Sequence, residues 1–175
     1  GHSCAAGCEL LGNQENGLAK AAKKAGRIAA EGLVAVALSD DAKEAAIVEV
    51  NSETDFVAKN DTFKAYVAEV ADQALTTAAA DIEGFLAEDS KAEAGKTVKE
   101  ALDGKIAVIG ENLNIRRFAK VSAADGFVAS YIHAGGKIGV LVVADTDSDS
   151  DAVKECLKNV AMQIAALNPK YVSSD

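Results

Sequence analysis

Aromatic residues are scarce in this 175-residue chain, at 5%, which argues against a large aromatic core. Much of its 49% hydrophobic content is alanine, and that favours close-packed helices and thin sheets. Long apolar runs are also missing. No stretch approaches the roughly 18 apolar residues needed to span a membrane. No positively charged start leads into an apolar segment with a cleavage site, so secretion is not expected. Basic residues are outnumbered, giving a formal net charge of −9. An acidic surface repels phosphates, which makes nucleic acid a poor partner and points to action through another protein. Cysteine is limited to three residues. An odd count without framework spacing argues against a disulfide scaffold and for a reducing, cytoplasmic compartment. What is present, including 26% charged residues, is the composition of an ordinary globular protein of one domain or two small ones.

Residues 1–16, GHSCAAGCELLGNQEN, follow neither the helical nor the strand period. They read as a disordered tail or an expression scar. His2, Cys4 and Cys8 lie there, but their spacing makes no zinc pattern, so no metal site is expected. Residues 17–31 are rich in Ala and Lys and read as a short helix, with Lys20, Lys23, Lys24 and Arg27 on one broad face. That face suits solvent, or else docking to an acidic partner.

Two β-branched runs follow, Gly32–Leu38 and Ala45–Val50, separated by the polar Ser39–Lys43. This is a hairpin signal. Asn51–Thr54 stops the second strand with capping residues. Phe56, Phe63, Val67, Val70 and Ala74 then recur at helical spacing, which predicts one helix with a single apolar stripe, running to about Ala79. Further helices are expected over Ile82–Ala87 and from near Lys96 to about Gly110. A strand is expected at Asn114–Val121. A second hairpin is read from Phe127–Ile132 and Lys137–Val143 around His133-Ala134-Gly135-Gly136. The last helix carries Val153, Cys156, Leu157, Val160, Ala161, Ile164 and Leu167 as its buried face and ends at Pro169. The class is therefore α+β. Two small subdomains, each an antiparallel sheet backed by helices, follow a short helix. Along the chain they are placed at residues 32–121 and 122–175.

Motifs for chemistry are thin. Gly95-Lys96-Thr97 ends like a phosphate-binding loop, but Ser90 stands where the first glycine belongs and no strand precedes it. Asp145, Asp147, Asp149 and Asp151 alternate like a calcium loop, yet Ser150 and Cys156 replace the required glycine and glutamate. Those aspartates are better read as capping the last helix and complementing its dipole. Cys156 reads as a small buried hydrophobe. A Cys–His dyad would need His133, and nothing in the spacing supports it. No Ser–His–Asp set or carboxylate pair stands out, so an enzyme is not expected.

Asp55-Phe56 is the informative oddity. The aspartate suits the first turn of a helix. The phenylalanine either opens the apolar stripe and packs on the sheet, or stands out as an aromatic wedge on a stiff corner, the kind of anchor that dominates interfaces. The run Ser52-Glu53-Thr54-Asp55-Phe56-Val57-Ala58-Lys59-Asn60 resembles the best-marked stretch of the bacterial translation elongation factor Ts family. Lys23–Gly32, Ile109–Phe118, Ser130–Leu141 and Ala161–Pro169 agree in order and spacing, so the likeness covers about residues 17–175. The resemblance implies a guanine nucleotide exchange factor for elongation factor Tu, without a cofactor of its own. It implies that Thr54, Asp55, Phe56 and Val57 press into the partner's G domain near its Mg²⁺ site. It further implies that His133, Gly135 and Gly136 form a second contact, on the partner's domain 3.

The resemblance has gaps. Family members normally begin with a small helical domain like ubiquitin-associated domains, and residues 1–16 do not match it; residues 17–31 read as the linker helix that follows it. Long members add a coiled coil and a returning C-terminal segment, and the chain stops at Asp175 before either. A truncated chain is therefore expected, with an open sheet edge through which a homodimer is the alternative association. Gln163 stands where many members have histidine.

Overall fold

The computed structural model describes residues 17–169. The reading of residues 1–16, with His2, Cys4 and Cys8, lies outside the described residues. The architecture is mixed, with a three-stranded antiparallel sheet in the order β1-β2-β3 and a two-stranded sheet β4-β5. Helices back both, after a short opening helix, α1, over residues 17–24. The strands are β1 Glu31–Leu38, β2 Glu44–Ser52, β3 Leu113–Ser122, β4 Gly126–His133 and β5 Ile138–Asp145. The remaining helices are α2 Asp55–Ala58, α3 Asp61–Thr76, α4 Ile82–Ala87, α5 Val98–Ile109 and α6 Asp151–Leu167. None of the described helices is long and apolar enough to cross a membrane.

Two compact units share these elements. Among the described residues one takes 17–32, 50–64 and 77–116, and the other takes 33–49, 65–76 and 117–169.

The first unit is built around α4 and α5, which pack together. Phe85 of α4 is fully buried, as are Leu102 and Ile106 of α5 nearly so. Burying an aliphatic or aromatic side chain of this size stabilises by roughly 1.5–3 kcal/mol. A capping box starts α5 at Val98, slightly later than the expected Lys96. The Thr97 hydroxyl accepts from the Glu100 N–H at 3.2 Å, and the Glu100 carboxylate accepts from the Thr97 N–H at 2.9 Å. Gly110 ends the helix at φ +88°, donating its N–H to the Ile106 carbonyl at 2.9 Å. A side chain is disfavoured in that left-handed conformation, so glycine suits the stop.

In the second unit, Ser39–Glu44 forms the tight end of the first hairpin. The Ser39 hydroxyl donates to the Asp41 carboxylate at 2.6 Å, and the Lys43 N–H donates to the same oxygen at 3.1 Å. β4 and β5 pair antiparallel from Gly126 opposite Asp145 to His133 opposite Ile138, and α6 packs on both strands. A small core gathers Ala45, Ala123 and Val128, with Val121 and Leu141 against it.

The structure corrects four local expectations. The opening helix ends at residue 24 and turns at Ala25-Gly26, short of residue 31. The single helix expected from Phe56 to Ala79 is two, α2 and α3. The Asn60 side chain breaks it by accepting from the Thr62 N–H at 2.8 Å, in competition with helix continuation. The cap of α6 is the Ser150 hydroxyl, which accepts from the Val153 N–H at 3.4 Å, while Asp151 sits in the first turn. Finally, α6 buries only Ala161 and Ala165. Cys156 and the apolar Val160 and Leu167 are exposed, so Cys156 is no core residue.

Candidate functional site

The corner expected at Thr54–Val57 forms where β2 hands over to α2. Ser52, fully buried, ends the strand, and its hydroxyl donates to the Thr54 carbonyl at 3.1 Å. Thr54 is extended, at φ −121° and ψ 156°, and caps α2 by accepting from the Val57 N–H at 3.3 Å. A threonine cap of this kind is worth about 1 kcal/mol. Asp55 lies in the first turn and pairs with Lys59 at 3.1 Å, both side chains at least half exposed. Such a surface pair contributes little to stability. Ala58 is buried and Val57 is half-buried, so α2 is seated on one side.

Phe56 is 82% exposed. The stripe reading fails for this residue and holds for its neighbours: Phe63 is completely buried, and Val67, Val70 and Ala74 are buried along α3. The break at Asn60 explains the difference, because it gives α2 a rotation of its own. Phe56 is thus a large aromatic in solvent on a short, capped helix.

Residues far away in sequence brace the corner. The Glu111 carboxylate accepts from the Glu53 N–H and the Thr54 N–H, both at 3.1 Å, and from the Thr54 hydroxyl at 2.6 Å. Glu53 answers by accepting from the Asn112 N–H at 2.6 Å. Asn112 also donates its side-chain amide to the Arg27 carbonyl at 2.7 Å, and the Arg27 guanidinium lies 3.6 Å from the Glu53 carboxylate. Glu53, Glu111 and Asn112 have no individual role in the sequence analysis, and Arg27 stands there only on the broad basic face of residues 17–31. The available signal was Gly110, a helix-ending glycine followed at once by two polar residues.

The second predicted group, His133, Gly135 and Gly136, lies at the tip of the β4–β5 hairpin. Ala134, Gly135 and Gly136 all have positive φ, at 52°, 64° and 98°. The N–H groups of Gly136 and Lys137 both donate to the His133 carbonyl at 3.2 Å. Gly136 is buried and its carbonyl accepts from the Val34 N–H at 2.7 Å. A Cβ at Gly136 would come within 2.8 Å only of the tip of the flexible Leu33 side chain, which can yield, so it is the φ of 98° that calls for glycine here. His133 is exposed, and its Nδ1 lies 3.1 Å from the Tyr131 hydroxyl, with the two rings 5.8 Å apart.

Comparison with known proteins covers both groups. The family model for elongation factor Ts matches residues 53–175. The chain belongs to the elongation factor Ts family. An elongation factor Ts from Clostridioides difficile is 57% identical over 162 residues, covering 93% of this chain and 52% of the relative. One from Clostridium botulinum is 52% identical over 162 residues, covering 93% and 53%. One from Clostridium tetani is 49% identical over 159 residues, covering 91% and 52%. The chain thus spans about half the length of these elongation factor Ts relatives. The corner, its brace at Glu111-Asn112 and the hairpin tip all fall inside the family match.

Proposed function

We propose that this chain is a guanine nucleotide exchange factor for elongation factor Tu, acting in the cytoplasm during translation elongation. It works by binding alone. It makes and breaks no bond, needs no cofactor and touches no nucleic acid. The observation that carries this reading is Phe56, 82% exposed on a capped and braced corner in a member of this family. An aromatic carried on a backbone that is already ordered spares part of the entropy that docking costs, which makes it an effective anchor.

Phe56 wedges between side chains of the partner's G domain, with Thr54, Asp55 and Val57 around it. The insertion disturbs the groups that hold the partner's Mg²⁺ and the backbone N–H groups that cradle the phosphates, and GDP binding depends on both. The hairpin tip at His133, Gly135 and Gly136 supplies a second contact, on domain 3. Exchange then follows from linkage. A chain that binds the nucleotide-free form more tightly weakens nucleotide binding by the same factor.

Release of a fluorescent GDP from elongation factor Tu tests the reading. The chain accelerates release, and Phe56→Ala loses most of the acceleration. Its melting temperature stays nearly unchanged, because exposed substitutions usually shift stability by less than about 0.5 kcal/mol. No acceleration by the unmodified chain, or equal acceleration by the variant, refutes it.

A further inference from the structure

We infer that Glu111 is a positioning residue for exchange, acting on the partner only through the orientation it imposes on the Thr54 cap and hence on Phe56. The inference rests on the exchange reading above. Glu111 follows the left-handed Gly110 directly, so the end of α5 aims its side chain at the end of β2. One carboxylate oxygen takes the two successive amides of Glu53 and Thr54, and the other takes the Thr54 hydroxyl proton. A hydroxyl has a single proton. Once that proton is committed to Glu111, a lone pair is left for the Val57 N–H, which is the contact that starts α2. The relay therefore runs from carboxylate to hydroxyl to the first turn of the helix carrying Phe56. The hydroxyl–carboxylate contact is charge-assisted and short, at 2.6 Å. Glu53 closes the clasp from the other side through the Asn112 N–H. Neither Asp55 nor Phe56 touches Glu111 in any of these contacts, so its influence on them is indirect.

Three variants separate positioning from general support: Glu111→Ala, Glu111→Gln and the double variant Glu111→Ala with Phe56→Ala. Glutamine keeps one oxygen for the two amides and turns an NH2 toward the Thr54 hydroxyl, donating where the carboxylate accepted; the hydroxyl's second lone pair stays available to the Val57 N–H, so glutamine serves as the conservative variant. Amide hydrogen exchange is read on the isolated chain, below the melting temperature of each variant. Glu111→Ala speeds exchange at Thr54 and Val57 by about tenfold or more, and Glu111→Gln by less than about threefold. In the GDP-release assay, Glu111→Ala lowers the maximal rate about tenfold with little change in the half-saturating concentration. In the Phe56→Ala background the same substitution adds less than about twofold, since the side chain it positions is gone.

Full additivity with Phe56→Ala overturns the inference, as does unchanged amide exchange at Val57, or a shift in half-saturation alone. Should Glu111→Ala fail to fold, Thr54→Val interrupts the relay at the hydroxyl, and the same three readouts apply. If the unmodified chain does not release GDP, the exchange reading falls. The inference falls with it, while the amide measurement still reports whether the clasp orders the corner.

Discussion

At the scale of single residues, hydrogen bonds rather than buried area decide where the informative side chains point. Phe56 and Phe63 are the same residue type seven positions apart, and one is exposed while the other is wholly buried. Periodicity alone assigns both to one stripe. Only the Asn60 cap between them separates their fates. The Ser39–Asp41 contact shows the same local control and gives a pH prediction. The Ser39 hydroxyl, and after it the Lys43 N–H, hold the Asp41 carboxyl below its ordinary value. A lowered carboxylate keeps its contacts above the ordinary value and loses them as pH falls through the lowered one. Ser39→Ala should therefore raise the Asp41 midpoint in an NMR titration, back toward an ordinary aspartate. An unmoved midpoint would mean that the serine is not the cause.

At the scale of elements, the sequence is easy to read where one period dominates. Both hairpins, the helix at Ile82–Ala87 and the strand at Leu113–Ser122 lie close to where β-branched runs, turn residues and apolar spacing put them. It is hard to read where a side chain competes with the backbone. The break between α2 and α3 is such a place, and it gives a direct test. Asn60→Ala removes the acceptor used by the Thr62 N–H, a loss of about 1 kcal/mol for a cap. For a chain of this size that is a fall in melting temperature of about 2–4 °C, and Asn60→Asp should recover most of it. No change in melting temperature would argue that the two helices are separated by other contacts. The face of α6 misleads for a different reason. Its apolar pattern is that of a helix buried along a broad stripe, but among the described residues only Ala161 and Ala165 of α6 are buried. The partners of Glu111 could not be read, although Gly110 marks the helix end beside it. They lie 57 and 58 positions earlier, and nothing local to residue 111 encodes that pairing.

At the scale of the whole molecule, the corner, Glu111-Asn112 and the hairpin tip all lie within the family match, while the chain spans only about half of its curated relatives. Affinity in a multi-site contact rises steeply with the number of sites engaged at once. We therefore expect this chain to accelerate GDP release more weakly than a full-length relative at equal concentration. Parallel release assays check it, and equal rates would show that the corner and the hairpin tip suffice. The brace has one more consequence, for the time course of folding. Glu53 and Thr54 reach their final hydrogen bonds only after a loop of nearly sixty residues has closed. Closure over such a distance is a non-local event, slower than forming a hairpin or a turn of helix. During synthesis the strand and the short helix at residues 44–58 leave the ribosome well before Glu111 exists. The corner is made before its brace and can be finished only after it.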